Sequence, residues 1–265
     1  MTSSHVGGTG AGGTGADVAV IVATRDAAAT IVVALESIAR ATRAASGTGE
    51  VITAEIIVID GGSDDATATL VAAHPRVRWL RQQGTGLAAA RNQAVAATTA
   101  PLIAFCDADD AWTLDALRLR RDALTRVPAA WGATGRVRFV DRVVARGGAA
   151  GAVAGGAGGG GEGGAAPPRR RAGSEHVGVT PGALLVRRDT FARVGPFDET
   201  LTIGADADWI VRAQRLLGPP IDVGAVVLEK GLRAGSLSTD VDTYRRELLT
   251  VARRLLADPG LRGRR

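Results

Sequence analysis

The chain has 265 residues, 46% hydrophobic but only 3% aromatic, with 22% charged and a formal net charge of +5. That length and apolar content are enough to close a substantial core, which excludes disorder throughout, and the shortage of aromatics leaves Val, Ile, Leu and Ala to fill it, as in sheets covered on both faces. The basic excess is arginine, Lys230 being the sole lysine, and without a basic stripe interleaved with aromatics it does not read as nucleic-acid binding.

Residues 1–16 are rich in Gly, Thr and Ser and lack the apolar stretch of a signal peptide. No apolar run reaches the length of a membrane span, and Cys106 alone excludes an internal disulfide. The expectation is a cytoplasmic protein without an integral membrane segment, at most peripheral at the inner membrane.

From Asp17 the pattern alternates. Residues 18–23 form an unbroken apolar run, as in a buried parallel strand, and helical spacing follows over 28–42. A second strand over 55–59 ends at Asp60 and the turn Gly61-Gly62-Ser63-Asp64, and a helix covers 65–73. A short strand at 77–80, a helix over 86–97 and a strand at 101–106 follow. This βαβ spacing predicts an α/β fold with a doubly wound, mainly parallel sheet flanked by helices. Ligands of such sheets sit at the carboxyl ends of the strands. The loops Thr24-Arg25-Asp26, Asp60-Gly61-Gly62-Ser63 and Asp107-Ala108-Asp109-Asp110 should therefore converge on one edge.

A helix is expected over 113–127 and an extended segment over 135–144. Residues 147–173 are Gly/Ala-rich and end in Pro167-Pro168-Arg169-Arg170-Arg171, a composition that cannot offset its ordering entropy. Beyond it a strand at 182–186, a short helix at 189–193 and a helix at 207–217 closed by Gly218-Pro219-Pro220 are predicted. A strand at 222–228 and an amphipathic helix at 241–257 complete the pattern. The expected division is a tail, 1–16; a first half, 17–145; a flexible insertion, 146–176; a second half with a smaller antiparallel portion, 177–240; and a C-terminal helix and tail, 241–265.

Asp107, Asp109 and Asp110 put three carboxylates into four positions after a buried strand. Such crowding calls for a cation or a basic partner. Hard oxygen ligands suit Mg²⁺ or Mn²⁺ bound together with substrate phosphate. Capping of the following helix by Asp109 and Asp110 is the alternative.

Four segments in one order carry a resemblance: Val20-Ile21-Val22-Ala23-Thr24, Ile57-Val58-Ile59-Asp60-Gly61-Gly62-Ser63-Asp64-Asp65, Gly86-Leu87-Ala88-Ala89-Ala90-Arg91-Asn92 and Asp107-Ala108-Asp109-Asp110. Gly204-Ala205-Asp206-Ala207-Asp208-Trp209 and Gly235-Ser236-Leu237-Ser238 follow. Over residues 17–238, apart from the insertion, the chain resembles the family 2 glycosyltransferases, inverting enzymes of the GT-A fold. The resemblance implies transfer of a hexose from a UDP-, GDP- or dTDP-sugar to a glycan, lipid-linked or small-molecule acceptor, with 17–145 the nucleotide-sugar-binding half and 177–240 the acceptor-side and catalytic half.

It further implies that Thr24, Arg25, Asp26 and Asp60 hold the nucleotide, although Gly61 stands where a second acid is usual. Arg91 would reach the ribose or phosphates, Asp107 the ribose or a metal-bound water, and Asp109, with Asp107, would ligate the metal. Asp206 corresponds to the catalytic base, with Asp208 its rival and an acceptor-side residue. Trp209 would line the acceptor subsite or belong to the core. Arg233 stands where a histidine is common and would close over the diphosphate.

Two other readings stay open. One is a non-catalytic nucleotide-sugar-binding module. The other is a nucleotidyltransferase or dehydrogenase on a related sheet, for which Gly84-Thr85-Gly86 is an incomplete dinucleotide loop. The histidines lack zinc spacing, and no Gly-x-Ser-x-Gly elbow supports a hydrolase.

Overall fold

The computed structural model describes residues 15–46, 51–74, 76–141, 172–176, 179–232 and 241–257. Its strands are β1 (Val18–Thr24), β2 (Ala54–Asp60), β3 (Val77–Arg81), β4 (Leu102–Phe105), β5 (Asp110–Trp112), β6 (Gly132–Asp141), β7 (Glu175–His176), β8 (Leu185–Arg187) and β9 (Ile221–Leu232). The helices are α1 (Ile31–Ser46), α2 (Thr67–Ala72), α3 (Gly86–Ala96), α4 (Ala116–Arg126), α5 (Asp189–Val194), α6 (Ala205–Leu217) and α7 (Val241–Ala257). Among the described residues one sheet runs β3-β2-β1-β4-β8-β6-β9-β5, with β7 on β6. β3, β2, β1 and β4 are mutually parallel; β8 is antiparallel to both β4 and β6. The parallel half and the antiparallel appendage are those expected.

The period of two explains the apolar run of β1. Val18, Val20 and Val22 face one core with Ile31, Leu35, Ile38, Leu117 and Leu124, while Ala19 and Ile21 face a second with Ile57, Phe105, Trp131 and Trp209. Both faces are covered, so no position can be polar. Each fully buried Ile or Leu contributes about 1.5–3 kcal/mol of transfer free energy. Buried Ile31, Ala34, Leu35, Ile38, Ala41 and Ala45 recur at helical spacing along α1.

Several boundaries differ from expectation, three of them around the loops of the site. α1 starts at Ile31, because residues 27–30 form a turn whose Ala28 N–H donates to Asp65 Oδ2 at 2.9 Å. Residues Pro181–Ala183 form a 3₁₀ turn, with Pro181 at its start, so the strand begins only at Leu185. Asp110, expected in a loop, opens β5, and α4 has Asp115 rather than Asp109 or Asp110 at its N-cap.

Of the expected insertion 146–176, residues 146–171 lie outside the described set, as do 142–145 before it, while Glu175–His176 pair with β6. Phe139 N–H donates to Ser174 O at 3.0 Å and Gly173 N–H to Phe139 O at 2.8 Å. No described helix is long and apolar enough to cross a membrane.

Candidate active site

The order of the parallel strands reverses at β1, whose neighbours are β2 and β4. Their carboxyl ends open a crevice there. β1 delivers Thr24, in register with Asp60 of β2, and the chain leaving β4 delivers Asp107. A cleft of about 1160 Å³ is lined by Thr24, Arg25, Asp26, Gly61, Gln82, Asp107, Asp109, His176, Asp206 and Lys230.

The nucleotide-side loops are stitched together. Asp60 Oδ1 accepts from Ser63 N–H at 2.9 Å and from Ser63 Oγ at 2.7 Å, and Asp26 Oδ1 accepts from Asp64 N–H at 2.9 Å. Asp26 takes a left-handed φ of 49°, where Asp is one of the tolerated residues. Asp60 is buried, and its turn bond makes Gly61, not Asp60, the wall of the cleft. A Cβ on Gly61 would stand 3.0 Å from Gln82 Oε1, so a side chain at this position would have to displace the end of Gln82. Thr24 Oγ1 is buried without a hydrogen-bond partner.

Arg91 corrects the expectation. The face of α3 toward the sheet carries Ala88, Ala89, Ala90 and Ala94, small enough to bring the helix close, and Arg91 is 2% exposed. Its guanidinium lies 5.5 Å from the Phe105 ring centroid and 5.8 Å from that of Phe197. It donates Nη2 to Asp107 Oδ1 at 2.9 Å and Nη1 to Asp206 Oδ1. Buried in this way, it braces two carboxylates from beneath and does not itself line the cleft. The two aspartates hold it charged against the cost of burial. Its neighbour Asn92 clips the 197–199 loop to α3, with Phe197 N–H donating to Asn92 Oδ1 at 2.9 Å.

The acidic turn has an internal cation. Pairing of β5 with β9 sets Lys230 opposite Asp110. Lys230 Nζ lies 3.0 Å from Asp110 Oδ2 and 3.4 Å from Asp107 Oδ2, and Gly231 N–H donates to Asp110 Oδ1 at 3.2 Å. Burial opposes ionisation of Asp107, but Lys230 and Arg91 outweigh it and hold the carboxyl down at about 2. Asp110, more deeply buried and beside two other acids, is pushed up to about 7 despite Lys230. Carboxylate oxygens of Asp107, Asp109 and Asp110 lie within 4.8 Å of one another, a hard donor set suited to Mg²⁺ or Mn²⁺. Asp107 and Asp109 line the cleft; Asp110 is held behind them.

Asp206 lies in the first turn of α6 with its side chain 28% exposed to the cleft. Of the two readings of Trp209, the structure gives the core one. Trp209 is 1% exposed, with its ring 4.7 Å from that of Phe191 and Nε1–H donating to Gly195 O at 2.9 Å. It is core and presents no face to a sugar. Asp208, two residues along the helix, accepts from Arg212 Nε at 2.8 Å, the pairing its helical spacing allows, and does not line the cleft that holds Asp206. Arg233 lies outside the described residues. Gln82 and Glu247 carry no motif, and Lys230, although it falls in the late segment 229–238 that shares in the resemblance, had no role of its own in the sequence reading. The one available signal was that Lys230 is the only lysine.

The family model for glycosyl transferase family 2 matches residues 19–155. The succinoglycan biosynthesis proteins ExoU and ExoO of Rhizobium meliloti (strain 1021) are 39% identical over 99 residues and 40% over 107. These matches cover 36% and 38% of this chain but only 26% and 28% of the relatives' own lengths. Residues 1–349 of S. aureus TarS, in complex with UDP-GlcNAc, superpose with a TM-score of 0.58 at 16% identity, over 92% of this chain and 67% of that one. The mannosyltransferase PcManGT from Pyrobaculum calidifontis, in complex with GDP-Man and Mn²⁺, gives 0.59 at 17% identity, over 91% and 64%. At those identities the superpositions establish a shared GT-A fold, whereas the sequence match reaches more than half the chain: it belongs to glycosyl transferase family 2.

Proposed function

We propose that the protein transfers a hexose from a nucleoside-diphosphate sugar to an acceptor hydroxyl with inversion, by direct displacement. The observation that carries this reading is the Arg91 bridge, which ties Asp206 to the acidic turn through Asp107 across one cleft. The relatives solved with UDP-GlcNAc and with GDP-Man support a nucleotide-sugar donor.

Thr24, Arg25, Asp26 and Gly61, with Asp60 shaping the turn behind them, would hold the nucleotide at the carboxyl ends of β1 and β2. Asp109 and Asp107 would hold a divalent cation, Mn²⁺ or Mg²⁺, which when bound neutralises charge on the departing diphosphate. Asp206 takes the proton of the acceptor hydroxyl as its oxygen bonds to the anomeric carbon. The bond from that carbon to the diphosphate breaks on the opposite side, and the nucleoside diphosphate leaves with the electron pair. Arg91 fixes the Asp206 carboxylate by its Oδ1, so the base does not have to be oriented during the reaction.

Asp206→Asn tests the reading. Donor binding should persist while transfer falls on the order of a hundredfold or more. Transfer at the parent rate would remove Asp206 as base, and metal-dependent donor binding by the parent without any turnover would favour a binding module.

A further inference from the structure

The backbone just before α6 is held by a side chain from the far end of the chain. Glu247, on α7, accepts from Thr202 N–H at 2.9 Å through Oε1, and through Oε2 from Ile203 N–H at 2.8 Å and Gly204 N–H at 2.6 Å. Gly204 is the N-cap of α6, and no side-chain cap bond is made from that position. Of the N–H groups left open where a helix begins, that of the N-cap Gly204 is taken by this tertiary carboxylate, which also holds the two residues leading into it. A charged acceptor taking three amides also complements the positive end of the helix.

The fit is close. A Cβ at Gly204 would stand 3.0 Å from Glu247 Cβ and 3.2 Å from its Oε2. Asp206 follows two residues later, and its carboxylate must meet both Arg91 and the cleft. Arg91 fixes the tip of that side chain; Glu247 fixes the backbone that bears it.

We infer that Glu247 is a positioning residue for Asp206, setting the start of α6 so that the carboxylate faces the acceptor. This rests on the reading of Asp206 as the base. The same helix lends Arg245 and Leu248 to the cleft wall, so α7 couples the acceptor side of the cleft to the base.

The test compares Glu247→Ala, Glu247→Gln, Gly204→Ala and Arg254→Met in the full chain. Arg254 binds Asp198 at 2.5 Å and helps dock α7 without touching residues 202–204. Glu247→Ala and Gly204→Ala should lower kcat for transfer by about tenfold to a hundredfold, the range for a misplaced catalytic group. They should leave the donor KM within about twofold and shift the pH profile of kcat. Arg254→Met should leave that profile in place.

If Glu247→Ala does not fold, Glu247→Gln, which retains the volume and one acceptor oxygen, carries the test with a smaller kcat loss. Parent kcat in whichever of these variants folds, or an equal loss and profile shift in Arg254→Met, would overturn the inference. Asp206→Asn separates the two failures: if it is inactive while the Glu247 variants keep parent kcat, only the positioning role falls, and if it is fully active, the base assignment falls first.

Discussion

Lys230 Nζ stands 3.0 Å from Asp110 Oδ2, so the chain's single lysine neutralises the acid cluster from within. Lys230→Met would leave Asp107 and Asp110 without their ammonium. In metal-free buffer it should lower folding stability on the order of 3 kcal/mol, as breaking a buried ion pair does. Added Mn²⁺ should then raise the melting temperature more than in the parent, because ligand-linked stabilisation grows with affinity. Thermal unfolding with and without metal measures both, and an unchanged melting temperature in chelator would contradict the neutralising role.

Arg91 should tolerate no substitution, lysine included. A single ammonium cannot reproduce the fork that reaches Asp107 and Asp206 together. Arg91→Met should cost about 3–5 kcal/mol, because two carboxylates lose their buried partner. Arg91→Lys should keep more stability yet lose transfer. Denaturant midpoints paired with transfer rates separate the two effects.

Trp209 provides a check on the core assignment. Trp209→Phe should retain donor and acceptor kinetics with a modest stability loss, whereas Trp209→Ala should lose about 3–5 kcal/mol by leaving a cavity. A large rise in acceptor KM for Trp209→Phe, with stability unchanged, would return the residue to the acceptor subsite.

The docking of α7 should be acid-labile. Thr200 and Arg254 hold the Asp198 carboxyl down at about 2, below its ordinary 3.8. Burial resists ionisation of Glu247, but the amides of Gly204, Ile203 and Thr202 outweigh it and keep it below its ordinary 4.5. Both carboxyls bind protons less tightly when folded, so their contribution is complete above about pH 4.5 and fades as pH falls toward 2. Hydrogen exchange over residues 241–257 should rise across that window before the sheet opens. Simultaneous loss of helix and sheet protection would contradict local undocking.

The parallel half was legible because its signals are local. The apolar runs of β1, β2 and β4 and the acids that follow them fall within a few residues of one another, and the site loops do converge on one cleft. Lys230 and Glu247 were not legible, because their roles depend on register and docking between residues far apart in the chain, which no periodicity encodes. Arg91 was legible as a motif member but not as a buried brace. Its burial follows from four neighbouring alanines that let α3 approach the sheet. Trp209 was ambiguous for a different reason: a tryptophan in an amphipathic helix suits either a core or a sugar, and only the rings of Phe191 and Phe197 beside it decide.

Residues 137–139 of β6 and 173–176 are held side by side where β7 returns along β6. The two described ends therefore stand at one port on the rim of the sheet. The port is a natural place to shorten the protein, or to splice in a reporter or an affinity handle, while strand pairing and the carboxylate scaffold stay in register.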